Sequence, residues 1–163
     1  MIWRMGGKTV PDRYVGWKKL QLRWSNGPQG RSYSGAHHTS VENLEKRYSI
    51  SIPLDFREYL LKTVPGFGTD FMDDDYIDWW PIARIKNISD EFEYQIGNPE
   101  IAKSASKYLF FADYLIWCWA WAICCDPGPH YGKIAVIGDQ GKFVADSFEE
   151  FVDIVLRDVD ALC

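Results

Sequence analysis

The chain has 163 residues, 47% of them hydrophobic and 16% aromatic, with four cysteines and a formal net charge of −5. That length predicts one domain whose core needs neither a disulfide scaffold nor a structural metal. The opening MIWRMGGK lacks the apolar run of a secretory signal, so the expectation is a cytoplasmic protein with reduced thiols.

Charge is unevenly spread. Residues 1–38 carry seven Lys/Arg and one acid, Asp12; residues 39–163 hold 11 basic and 22 acidic residues, a balance of −11. Phosphates would be repelled by such a body, which argues against direct nucleic-acid binding and is compatible with a basic protein partner. Residues 1–38 read as a basic extension, either docked on the domain or, as the sharper alternative, a nucleic-acid-binding arm. Within it WKKLQLRW predicts one strand with Leu20, Leu22 and Trp24 on a shared face, and the turn-rich SNGPQGRSYSG, residues 25–35, reads as a linker.

Residues 39–163 read as an α+β domain. Thr39 and Glu42 have capping-box spacing, and Val41, Leu44 and Tyr48 fall on one helical face. Pro53 suits the first turn of a second helix, whose apolar face is Phe56, Tyr59 and Leu60 and whose end is Pro65-Gly66. The two form a helical hairpin. GFGTDFMDDDYID, residues 66–78, is an acidic loop; DWWPIARIK predicts a strand near an edge; NISDEFEYQIG and NPEIAKSASK predict short helices with Ser89 and Asn98 as caps. YLFFA, the tryptophan-rich segment, GKIAVIG and KFVAD predict further strands, the last two joined by a DQG turn. Ser147 and Glu150 repeat the capping-box spacing, and Phe148, Phe151, Val152, Val155, Val159 and Leu162 trace one face of a terminal helix. Helices, then strands, then a helix imply a mainly antiparallel sheet of about five or six strands.

LIWCWAWAICC, residues 115–125, is the segment most in need of explanation. Its uncharged run, Tyr114–Cys125, is 12 residues and is bracketed by Asp113 and Asp126, too short for a spanning helix of about 20. As a strand it places Trp117, Trp119, Trp121, Ile123 and Cys125 on one face and Ile116, Cys118, Ala120, Ala122 and Cys124 on the other. A helix would scatter both sets, so the segment reads as the middle strand of the core sheet, with the cysteines acting as small hydrophobes. Cys118 and Cys124 would then lie roughly 20 Å apart, too far to share a zinc ion. Any uncovered part of the Trp117, Trp119, Trp121 face would be a contact surface.

These residues in this order resemble the SUKH superfamily, the Smi/Knr-type domain. The likeness is carried by VENLEKRYSISIPLDFREYLLK, PGFG, DWWPIARI, AICCD, GKIAVIGD and above all FVADSFEEFVDIVL, and it spans residues 39–160. The resemblance implies a binding module, not an enzyme. Bacterial members are largely immunity proteins that neutralise polymorphic or contact-dependent toxins, many of them acting on nucleic acids; fungal relatives regulate cell-wall synthesis. It implies no shared catalytic residues and no cofactor, and no interface that transfers by position.

The residues themselves agree with that implication. No GxSxG, HExxH, P-loop or GxGxxG motif is present. His37-His38 read as a solvated turn. The densest polar cluster is Asp70, Asp73, Asp74, Asp75 and Asp78, punctuated by Phe71, Met72 and Tyr76. It reads as a solvated loop, as a partner-binding surface mimicking phosphates, or as a hard-cation site. DDDYID lacks the glycine and terminal Glu of an EF-hand. The expectation is therefore an immunity protein that binds a cognate toxin domain through Asp70, Asp73, Asp74, Asp75, Tyr76 and Asp78, with no metal, no membrane and no chemistry. The alternative is a regulatory protein-binding scaffold.

Overall fold

A computed structural model describes residues 3–5, 8–10, 13–27, 35–66, 72–138 and 140–163. Most of the linker, Phe67 and Gly68 of PGFG, Thr69, Asp70, Phe71 and Asp139 of the DQG turn lie outside the described residues.

The core is a five-stranded antiparallel sheet in the order β3-β4-β5-β6-β7. Its strands are β3 (Ile77–Trp79), β4 (Tyr108–Tyr114), β5 (Trp119–Cys124), β6 (Ile134–Ile137) and β7 (Lys142–Ala145). A separate hairpin pairs β1 (Trp3–Met5) with β2 (Lys8–Val10). The helices are α1 (Gly16–Asn26), α2 (His38–Tyr48), α3 (Leu54–Lys62), the short α4 (Ile88–Glu91) and α5 (Pro99–Ala102), and α6 (Phe148–Arg157). The α+β architecture, the helical hairpin and the C-terminal helix expected from the sequence are all present.

The sheet is buried on both faces. On one, Phe111 of β4 meets Phe56 of α3 at 5.3 Å and Phe151 of α6 at 5.2 Å, and Trp121 of β5 meets Phe151 at 5.5 Å. On the other, Phe110 packs on Trp80 and Trp117, and α4 contacts β4; Ile85, Ile88 and Ile101 of this segment are buried in the same core. Both faces of β4 therefore need large side chains, which is why YLFFA does not alternate with polar residues. A bulge at Phe110/Ala112 lets β4 follow the twist of β5.

Several local expectations change. DWWPIARIK is a strand only over Ile77–Trp79, and the terminal helix ends at Arg157, with Val159–Leu162 in a separate 3-10 helix. WKKLQLRW is not a strand but the body of α1. Leu20 and Trp24 are four apart, so a helix puts both on one face; they are buried, while Leu22 is 64% exposed. The alternation that suggested a strand also satisfies i, i+4, and the contacts on α3 and α6 decide between them. The α2 helix starts at His38, with His37 at its N-cap and no side-chain cap, so Thr39 does not form the capping box and His37-His38 are not a free turn. Asn87, not Ser89, caps α4 by accepting from the Asp90 amide at 2.8 Å. The predicted caps Asn98 and Ser147 are both in place, on α5 and α6.

The docking of α1 rests on an acid. Glu149, in the first turn of α6, accepts from the Gly16 amide at 2.9 Å, and its other oxygen accepts from the Val15 amide at 3.3 Å. A carboxylate on the unsatisfied amides of a helix N-terminus is favourable. A Cβ on Gly16 would sit 2.8 Å from that carboxylate, so a larger residue would require the Glu149 side chain to shift. Lys19 pairs with Asp153 at 2.8 Å, Gln21 donates to the Lys62 carbonyl, and Trp24 meets Trp79 edge-on at 5.5 Å. Gly35, at φ +82° and with the Leu61 carbonyl where a Cβ would be, brings the chain into α2.

Phe111 is the ring that α3, β3 and α6 share. Phe111→Ala should cost about 3–5 kcal/mol of unfolding free energy in chemical denaturation; a loss under about 1 kcal/mol would show that this core is not the stabilising one.

Candidate protein-binding surface

The acidic segment leads into β3 as a closed turn. Met72 bridges to Asp78, and the Asp73 amide donates to the Ile77 carbonyl at 2.8 Å. The Asp73 side chain completes the turn from inside: one oxygen accepts from the amides of Asp75 and Ile77 at 2.9 and 3.0 Å, the other from Trp79 Nε1 at 2.8 Å. Burial pushes this carboxyl up from its ordinary value, against the opposing pull of those three donors. Asp73 is thus a structural acceptor.

The neighbouring acids are divided between fold and solvent. Asp75 accepts from Arg23 of α1 at 2.8 Å, so the basic extension reaches the acidic turn directly. Asp78 pairs with Arg84 at 3.0 Å; Arg84 also approaches Asp113 at 3.5 Å and lies 4.1 Å over the Trp80 ring. Asp74 is exposed beside Gly27 at the end of α1. Tyr76 is 56% exposed at φ +63°. Of the six residues singled out in the sequence, Asp74 and Tyr76 face solvent most openly, Asp73, Asp75 and Asp78 are engaged within the chain, and Asp70 lies outside the described residues.

The tryptophan segment is not one strand. Leu115, Ile116 and Trp117 adopt φ of 44°, 53° and 63° and form the turn between β4 and β5, so β5 begins only at Trp119. This corrects the assignment of Leu115–Cys118 to the core strand, although β5 is the middle strand of the sheet. The turn is held by Asp113, which is buried at 1% exposure and accepts from the Trp117 amide at 2.8 Å and from Trp80 Nε1 at 2.7 Å. The Cys118 amide closes the turn on the Tyr114 carbonyl at 2.8 Å. Trp121 is fully buried and donates to the Leu162 carbonyl at 2.8 Å; Trp119 stacks on Tyr114 at 4.5 Å. The three tryptophans thus do not form one exposed ladder. What reaches solvent instead is Ile116, 87% exposed, beside Leu115 at 41%. The sequence reading missed this pair.

Groups with potential chemistry are poorly placed for it. Burial pushes the thiols of Cys124, Cys125 and Cys163 up, holding them as thiols, not thiolates. His130 stacks on Phe143 and contacts Glu100 at 3.2 Å. Among the described residues no three His, Cys, Asp or Glu side chains converge on one point.

The division of the acids is testable by stability. Asp73→Ala leaves three donors without their acceptor and should cost about 1–3 kcal/mol in chemical denaturation. Asp74→Asn should stay within about 0.5 kcal/mol. Equal effects would show that Asp73 does not organise the turn.

The profile of the SMI1 / KNR4 family (SUKH-1) matches residues 35–154. Comparison with curated proteins gave no match. The matched span runs from just before α2 into α6; it holds the whole five-stranded sheet and the acidic turn, while α1 precedes it. No helix among the described residues is long and apolar enough to cross a membrane. The family is consistent with an immunity protein or with a protein-binding scaffold. With most of its length matched and the expected α+β topology in place, the chain belongs to the SMI1 / KNR4 (SUKH-1) family.

Proposed function

We propose that this protein is a cytoplasmic immunity protein that binds a cognate bacterial toxin domain and neutralises it by occlusion, without catalysis or cofactor. The observation that carries the reading is the family match across residues 35–154 on a body, residues 39–163, whose charge balance is −11. A toxin acting on nucleic acid presents cations to phosphate, and an acidic surface competes for them. The exposed Asp74 and Tyr76 supply a charge and an aromatic face at one place, and Asp75 and Asp78 add to the local field although each has an internal partner. Asp73 serves the surface by shaping the turn.

The toxin domain encoded by the adjacent gene is the probe. Co-purification with this chain, and survival of cells expressing both, are expected; neither binding nor rescue would reject the reading. Where binding occurs, changing Asp74 and Asp75 together to Asn should slow association and flatten its salt dependence while dissociation changes less. An unchanged on-rate would remove the acidic turn from the interface.

A further inference from the structure

The β4–β5 turn contradicts its own local chemistry. Three successive residues sit in the left-handed region, where glycine, asparagine and aspartate are at ease and a β-branched residue is an outlier. Yet the sequence there is Leu115-Ile116-Trp117. Trp117 has a packing reason: its ring stacks on Phe92 at 5.6 Å and meets Phe110 edge-on at 5.3 Å. Leu115 and Ile116 have none that matches their exposure of 41% and 87%. They strain the turn and present apolar surface to water, a combination that folding alone does not favour.

The turn does not stand alone. The Leu115 amide donates to the Tyr76 carbonyl at 3.1 Å, joining it to the acidic turn, where Tyr76 is again an exposed side chain in the left-handed region. On its other side the stack of Trp117 on Phe92 continues to Tyr94, 5.5 Å from Phe92 and 77% exposed. Tyr76, Leu115, Ile116 and Tyr94 thus stud one continuous edge. Hydrogen bonds to the buried Asp113 and ring contacts hold that edge in place before any partner arrives. Such preorganisation lowers the cost of binding.

The charge around the edge selects the partner. Residues 72–94 contain seven carboxylates against two cations, Arg84 and Lys86. Both cations are already engaged, Arg84 by Asp78 and Asp113 and Lys86 by Glu91 at 3.8 Å, whereas Asp74 and Glu93 are exposed. An apolar edge bordered by negative charge repels nucleic acid and anionic lipid and fits a protein surface with an apolar socket ringed by Lys or Arg. We infer that the edge formed by Tyr76, Leu115, Ile116 and Tyr94 is the docking surface for the toxin, with Ile116 as its central anchor. This assignment rests on the immunity reading above and adds the place of contact and the character of the surface met.

The test combines binding with stability in the full chain, using the catalytically inactivated toxin domain from the adjacent gene as probe. Leu115→Asn combined with Ile116→Gly suits the left-handed backbone, so the melting temperature should hold or rise. Binding should weaken by about tenfold or more. Tyr94→Ser, at the far end of the edge, should weaken it independently. If the wild-type chain binds and both variants bind within about threefold of it, the surface is wrong and the immunity reading survives. A melting temperature that falls in the double variant would show that Leu115 and Ile116 serve the fold, which also overturns the assignment. No binding by the wild-type chain rejects the immunity reading and, with it, the surface. Binding of the wild-type chain to zwitterionic lipid vesicles, lost in the double variant, would point to a membrane and overturn the assignment as well.

Discussion

A strand buried on both faces has to end somewhere, and how β4 ends organises the rest of the molecule. Phe111 faces the aromatic layer of α3 and α6, Phe110 faces the layer built from Trp80 and Trp117, and the next charged residue, Asp113, is itself 1% exposed. A buried carboxylate is costly unless its acceptors are filled. Here Trp80 Nε1 and the Trp117 amide donate to it and Arg84 stands 3.5 Å away. Satisfying Asp113 forces the chain to turn back immediately, which creates the β4–β5 turn, and it draws Arg84 over Trp80 and toward Asp78. One buried charge therefore links the end of the sheet, the acidic turn and the second layer.

The same economy governs the surface acids. Glu149 caps α1, Asp153 holds Lys19, Asp75 receives Arg23, and Asp73 closes the turn before β3. Three of these acids, Asp75, Glu149 and Asp153, fasten helix α1 to the domain, and Asp75 alone of them belongs to the acidic cluster seen in the sequence. Near the end of the sheet, Asp74 and Glu93 are exposed around an edge of exposed apolar side chains. Charge there sets approach and partner choice, while the apolar side chains supply contact area.

The fold was largely legible because its elements carry strong local signs. Ser147 caps α6 as its spacing predicts, Asn98 and Pro99 open α5, and Phe56, Tyr59 and Leu60 are buried together. The errors fall where a pattern satisfied two periods, where turn residues were missing, or where a neighbouring residue took the cap, as His37 and Asn87 do. Leu20 and Trp24 share a face in a strand and in a helix alike, and only contacts with α3 and α6 choose. The β4–β5 turn contains no glycine, asparagine or proline, so nothing punctuated LIWC. Length held the remaining clue: Tyr108 to Cys125 is more than one strand ordinarily spans, at most about ten residues, so a turn had to lie within it, and Asp113 is a side chain able to hold one. The acidic cluster was visible in sequence, but its division into structural and exposed members depends on contacts that spacing does not show, with Trp79 and Arg84 just beyond it and with Arg23 of α1.

The proposed contact between this member of the SMI1 / KNR4 family and a toxin domain lies at the end of the sheet where β3, β4 and β5 turn. Amide hydrogen exchange of the chain with and without the toxin domain tests it most directly. The account predicts slowed exchange on binding at residues 74–78, 92–96 and 114–118, with α2 unchanged. Slowed exchange confined to α2 and α3, with the Leu115–Cys118 turn as open as in the unbound chain, would contradict it.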